Sequence, residues 1–74
     1  MKAKILEILR EVLDDNSINE SISQINCEKW DSLRHLNIVI SIENEFNVSL
    51  EPEEIAEMKS FENILRTITI KKNK

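Results

Sequence analysis

Apolar residues recur at helical spacing in four parts of this chain. The first set is Ile5, Leu6, Ile8, Leu9, Val12 and Leu13, with charged residues between its members. It predicts a helix from about Lys2 to Leu13, ended by the polar residues 14–17. A second set predicts a helix from about Ser32 to Phe46, and Asn47 is a suitable stop because asparagine tolerates left-handed backbone.

Two further helices are predicted in the C-terminal third. Pro52 suits the first position of a short helix over residues 52–58, because its missing N–H costs nothing there. Ser60 is predicted to cap a final helix that carries Phe61, Ile64, Leu65 and Ile68, with fraying beyond Ile70. Residues 71–74 are predicted to form a disordered basic tail.

A long polar loop is predicted between the first and second helices. Ile18, Ile22 and Ile25 are isolated apolar residues within it, and we expect them to anchor the loop to the core. The loop has room for a short helical turn.

Composition favours a single all-α domain over residues 1–74. Glycine is absent and proline occurs once, which disfavours tight hairpin turns. Seventy-four residues suffice for one small core. The expected fold is a four-helix bundle with three longer helices, a short third helix and a long loop between helices one and two.

Cysteine, histidine and hydropathy limit the kinds of site. Cys27 is the single cysteine, so no internal disulfide can form, and it is either a small apolar filler or a reactive thiol. One histidine and scattered carboxylates lack metal-ligand spacing. No signal peptide or membrane-spanning stretch is recognisable, so we expect a soluble, cytoplasmic protein without membrane insertion.

Acidic residues outnumber basic ones more strongly once the C-terminal lysines are set aside. The net charge is −4, but residues 1–70 carry 7 basic and 14 acidic residues. Seven glutamates lie between Glu43 and Glu62, against Lys59 alone. Such a surface repels nucleic acid and attracts basic partner proteins.

A serine stands at the predicted start of the second helix. Asp31 is a good N-cap, because its carboxylate can accept a hydrogen bond from a first-turn amide. Ser32 then lies in the first turn with its hydroxyl facing water. The helix N-terminus favours an anion there, so a phosphate ester on Ser32 would lie in a compatible field.

The second helix is apolar on more than one side. A core stripe is formed by Ile38, Val39, Ile42 and Phe46. A second cluster comprises Leu33, Leu36 and Ile40. Either a neighbouring helix covers this cluster, or it is partly exposed beside Ser32, where it could meet a partner or shelter an acyl chain.

Four segments together resemble the acyl carrier protein family. They are Asp31-Ser32-Leu33, Ile38-Val39-Ile40, residues 42–46 and residues 50–54. The resemblance implies a monomeric carrier, not an enzyme, in which Ser32, flanked by Asp31 and Leu33, holds a 4'-phosphopantetheine arm derived from coenzyme A. It also implies a phosphopantetheinyl transferase and acyl-loading and acyl-using enzymes as partners.

The resemblance further implies where partners dock and what the arm carries. The arm would hold acyl or aminoacyl groups as thioesters, in fatty acid, polyketide or specialised lipid and glycan acylation. The helix after the serine is the family's main recognition element. The expected partner-binding residues are Leu33, Arg34, Leu36, Ile40, Glu43, Glu45, Glu53, Glu54 and Glu57.

The chain departs from the family at the start of this helix. Arg34 and His35 stand where many members have acids, and Asn37 and Asn44 replace further acids. This departure favours a dedicated pathway over the general fatty acid synthase. Trp30, where many relatives have a small residue, either points the same way or is a hydrophobic staple for the helix start.

Two other interpretations compete with a carrier. Asp31, Ser32 and His35 are the residue types of a hydrolase triad, but Asp31 adjoins the serine and is needed as an N-cap, so it is badly placed to orient the histidine. We therefore expect His35 to be an ordinary surface or boundary histidine. The remaining alternative is an unmodified helical protein-interaction module, which uses the same apolar cluster.

Overall fold

The computed structural model describes residues 1–72 and folds them into four α-helices. The helices are α1 (Lys2–Leu13), α2 (Ser32–Phe46), α3 (Pro52–Glu57) and α4 (Phe61–Lys72), and the loop before α2 contains a 3-10 turn (Gln24–Asn26). No strand forms in the described part; one isolated antiparallel bridge joins Ser23 to Ser60. The all-α prediction, with three longer helices and a short third one, is confirmed.

The helix ends follow local sequence signals. α1 and α2 have the predicted bounds, and Asn47 ends α2 with a φ of 54°. Asp14 ends α1 in the same left-handed conformation, which small polar residues tolerate better than others. Ser60 caps α4, because its hydroxyl accepts a hydrogen bond from the Asn63 amide at 3.1 Å. α3 stops one residue before the predicted end, since Met58 leaves the helix and is fully buried.

One core fills the space between the helices. α1 packs against both α2 and α4. The fully buried large side chains are Ile5, Leu9, Leu13, Ile38, Ile42, Met58, Ile64 and Ile68. Phe46, predicted to lie in the core stripe, is only partly buried and packs against its edge, as does Cys27. Cys27 therefore occupies the position of an apolar filler.

The long loop is anchored, though by fewer isoleucines than predicted. Ile18 is buried and Ile22 half-buried, but Ile25 is 96% exposed, so its prediction as an anchor is wrong. The backbone beside Ile25 is bonded to the segment before α4: the Gln24 amide donates to Lys59 O at 2.7 Å. Ile25 then lies on the outer side of the 3-10 turn, where no helix covers it.

Polar bonds complete the anchoring. Arg10 Nε of α1 donates to Ile18 O at 2.8 Å. The hydroxyl and the amide of Ser17 both donate to Asp15 Oδ1, at 2.6 and 2.9 Å, and these bonds lower the pKa of Asp15 below its usual value of 3.8. The loop is thus a tethered crossover.

Two lysines at the end of α4 bond to two other helices. Lys71 Nζ lies 2.8 Å from Glu54 Oε1 of α3, and Lys72 Nζ donates to Phe46 O at the end of α2 at 3.1 Å. A cation at a helix C-terminus is favoured by the helix dipole. The prediction of a disordered tail is therefore wrong for Lys71 and Lys72, because both gain partners that are distant in sequence. Residues 73 and 74 of the predicted tail lie outside the described residues.

Replacing Lys71 tests this contact. Lys71→Met should lower the free energy of unfolding by up to about 1 kcal/mol, because the ion pair with Glu54 is partly buried. Lys2→Met is the control: Lys2 lies 3.9 Å from Glu20, both side chains are exposed, and no measurable change is expected. Urea denaturation of both variants decides the matter, and equal losses would contradict the prediction.

Candidate functional site

Asp31 and Ser32 form the start of α2. Asp31 has extended backbone, and its Oδ1 accepts a hydrogen bond from the Arg34 amide at 2.9 Å. The predicted N-cap is confirmed. Ser32 is the first residue of α2 and is exposed, so its hydroxyl is displayed to solvent.

Trp30 and His35 fix the approach to this helix. Trp30 is only 2% exposed, and its Nε1–H donates to Nδ1 of His35 at 3.0 Å. His35 Nε2 lies 2.8 Å from Ile55 O of α3. Since a carbonyl oxygen only accepts, the hydrogen-bond network assigns the ring proton to Nε2 and a free lone pair to Nδ1. His35 therefore joins the residue before the cap to α3 in its neutral form.

Local sequence patterns predict a role for Trp30 at the helix start but not the bond from His35 to α3. Trp30 and His35 occupy the two positions of a hydrophobic staple, just before the cap and four residues into the helix, but a hydrogen bond joins them in place of an apolar contact. The bond to Ile55 is absent from the sequence-based expectations, since nothing local relates a residue of α2 to one twenty positions away.

The same bonds argue against a hydrolase. Both ring nitrogens of His35 are engaged, with Trp30 and Ile55, and the carboxylate of Asp31 is engaged with Arg34. Ser32 thus lacks the base and the orienting acid that a triad requires.

Three apolar side chains of α2 face solvent near Ser32. Leu33 is 70% exposed, Leu36 53% and Ile40 54%. We call these three residues the α2 stripe. Ile38, Val39 and Ile42 on the other side of the helix are buried. Of the two interpretations of the extra apolar cluster, the exposed one is therefore confirmed.

Two of the charged residues expected to meet partners are bonded to neighbouring loops. The Arg34 guanidinium donates to Lys29 O at 3.0 Å, in the loop before α2. Glu43 is half-buried, and its Oε2 accepts from the Leu50 amide at 2.9 Å, in the loop after α2. These bonds stabilise both ends of α2 and hold the two side chains against the neighbouring loops.

The remaining expected acids are divided between two surfaces. Glu45 borders the groove between α1 and α2, and it follows Ile40 by five residues, about 140° around the helix, so it does not share the face of the α2 stripe. Glu53 and Glu57 of α3 are exposed. Glu54 is partly buried and pairs with Lys71. Among the nine expected partner residues, only Leu33, Leu36 and Ile40 thus form one exposed face with Ser32.

Residues 1–72 contain neither a cluster of metal ligands nor a helix that could span a membrane. No three side chains among their histidines, cysteines and carboxylates are grouped to hold a metal ion. None of their helices combines the length and apolar character that crossing a membrane requires.

A pair of truncations on α2 tests the division between core and stripe. Ile42→Ala should cost about 2–5 kcal/mol of unfolding free energy, because it leaves a cavity in the core. Leu36→Ala should cost less than about 1 kcal/mol, because half of its side chain already faces water. Both values come from denaturant melts, and comparable losses would show that Leu36 belongs to the core.

Comparison with known proteins agrees with this geometry. No family model matches the chain. The chain is 34% identical over 53 residues to a protein of Mycoplasma genitalium named acyl carrier protein homolog. The match covers 72% of this chain and 60% of that relative, so the chain spans less than two thirds of the relative's length. Together with the four helices and the capped, exposed serine, this match supports the resemblance of the chain to the acyl carrier protein family.

Proposed function

We propose that this protein is a monomeric cytosolic carrier whose Ser32 holds a 4'-phosphopantetheine arm. The observation that carries the proposal is an exposed serine, capped by Asp31, that opens a helix with an uncovered apolar stripe. A transferase working on coenzyme A needs access to that hydroxyl, and the exposure of Ser32 provides it.

The start of α2 fits the phosphodiester that such an arm requires. The first amides of an α-helix have no partner within the helix, and Asp31 Oδ1 engages that of Arg34. The amides of Ser32 and Leu33 and the positive end of the dipole therefore favour a negative charge beside the serine oxygen. The similarity to an acyl carrier protein homolog supports the same group, since phosphopantetheine is what the serine of that family carries.

The proposed role of the chain is to present the arm to enzymes, and the chain itself breaks no bond. When bound, the arm provides a terminal thiol that holds an acyl or aminoacyl group as a thioester. Ser32 anchors the arm, Asp31 fixes the turn around it, and Trp30 and His35 hold that turn against the core. A carrier of this kind delivers the same thioester to successive enzymes.

The α2 stripe is the proposed docking surface for the transferase and for acyl-loading and acyl-using enzymes. Beside the stripe, α2 exposes the amides of Asn37 and Asn44, and its Glu43 is half-buried and bonded to the Leu50 amide. A partner must therefore offer an apolar surface to α2, with basic groups placed towards Glu53 and Glu57 of α3. This chemistry supports a dedicated pathway with its own enzymes, while the cargo is set by the loading enzyme.

Intact mass tests the proposed attachment. Protein produced with a phosphopantetheinyl transferase should gain the mass of one phosphopantetheine, and Ser32→Ala should gain none while keeping its helical circular dichroism. Ser49→Ala, which removes another exposed serine, should still be modified. Peptide mapping that finds the arm on a different serine would contradict the assignment, and no added mass in any variant would favour the unmodified interaction module.

Salt and charge reversal test how partners approach. Exposed charges are screened over about 8 Å at physiological salt, so association with a cognate enzyme should slow as salt rises. Glu53→Lys on α3 should slow it further, whereas Glu11→Lys, equally exposed on α1, should have little effect. Stopped-flow association rates supply the measurement. Association rates that change neither with salt nor in Glu53→Lys would mean that apolar contact with the α2 stripe governs recognition.

A further inference from the structure

The single tryptophan and the single histidine of this chain are bonded to each other beside Ser32. The two ring nitrogens are 3.0 Å apart, while the ring centroids are 6.1 Å apart with 27° between the planes. Rings stacked face to face would bring the centroids much closer than this. Trp30 and His35 therefore meet edge to edge through an N–H···N hydrogen bond.

This bond requires a neutral imidazole. His35 Nδ1 accepts the proton of Trp30 Nε1, which needs the lone pair that protonation would occupy. In the protonated ring both nitrogens are donors, so two N–H groups would point at each other. Trp30 is 2% exposed, so water cannot replace His35 as the acceptor for the indole N–H. A buried donor without a partner is unfavourable.

The bond on the other side of the ring behaves differently. His35 Nε2 lies 2.8 Å from Ile55 O, and Nε2 carries a proton in both charge states. Protonation therefore keeps the contact with α3 and disrupts the contact with Trp30. The two sides of one imidazole respond in opposite ways.

We propose that His35 is a proton-sensitive lock that releases Trp30, and with it the segment leading into Ser32, when the imidazole is protonated. Trp30 immediately precedes the capping residue Asp31, so its release loosens the turn that presents the serine hydroxyl. The lock belongs to the unmodified chain and does not depend on the proposed arm.

The elements that His35 joins carry charges of both signs. They are Glu28 and Lys29 in the loop, Asp31 at the cap, Arg34 on α2, and Glu54 and Glu57 on α3, with Lys71 of α4 paired to Glu54. Histidine ordinarily changes charge between pH 5 and 8, and the switch is sought in that range.

Emission from Trp30 provides a direct test on the unmodified protein. On acidification from pH 8 to pH 5, we expect the emission maximum to shift to longer wavelength and acrylamide quenching to rise along a one-proton curve. His35→Gln is the matched control, because the glutamine amide can accept from Trp30 and donate to Ile55 O without titrating. It should show neither change. A wild-type protein without the shift, or the same shift in His35→Gln, would overturn the lock.

Nitrogen NMR of wild-type protein gives a second test that does not depend on the variant. At neutral pH the long-range proton–nitrogen spectrum should show His35 protonated at Nε2 and not at Nδ1. On acidification, the Trp30 indole N–H resonance should move with the same midpoint as the His35 nitrogens. A proton on Nδ1 at neutral pH, or two separate midpoints, would overturn the proposal.

Discussion

Burial of Ile38, Val39 and Ile42 fixes the rotation of α2 about its own axis, and the surface beside Ser32 follows from that rotation. Burying one such aliphatic side chain contributes roughly 1.5–3 kcal/mol, so turning these three towards water would cost much of the stability of a domain this small. A helix advances 100° per residue, which leaves Leu33 and Ile40 on the outward side. Core packing thus presents the α2 stripe to solvent.

The short helix α3 is held in place by side-chain bonds from other helices. α3 has six residues and no fully buried side chain, so it cannot be stable alone. It depends on His35, which bonds Ile55 O, and on Lys71, which pairs with Glu54. The imidazole of His35 serves α3 and the start of α2 at once, so the two elements that flank the proposed docking surface share one titratable group.

The acidic residues divide between structure and surface. Glu43 and Glu54 both bond backbone amides, those of Leu50 and Glu51, and these bonds shape the entry to α3. Glu53 and Glu57 are exposed on α3. Because Glu54 is paired with Lys71, the count of acids in this region overstates the charge that a partner meets. For the proposed carrier, this division favours complexes in which charge guides the approach of the partner and modest apolar contact holds it. Such complexes dissociate readily.

The sequence determined the features that depend on neighbours within about one helical turn. The bounds of α1 and α2, the caps at Asp31 and Ser60 and the left-handed stop at Asn47 all follow from local backbone chemistry. The buried stripe of α2 follows from periodicity. Together with the family resemblance, these local features are sufficient to single out Ser32 as the candidate attachment residue.

Only the tertiary structure decided which side chains find partners across the fold. Ile25 points outward because backbone bonds to the segment before α4 fix its turn, and Lys71 is ordered because α3 brings Glu54 to it. The pattern around His35 predicts no more than a surface or boundary residue, because Ile55 O comes beside it only when α3 packs against α2. Each outcome depends on contacts between elements far apart in sequence, and local patterns carry no information about such contacts.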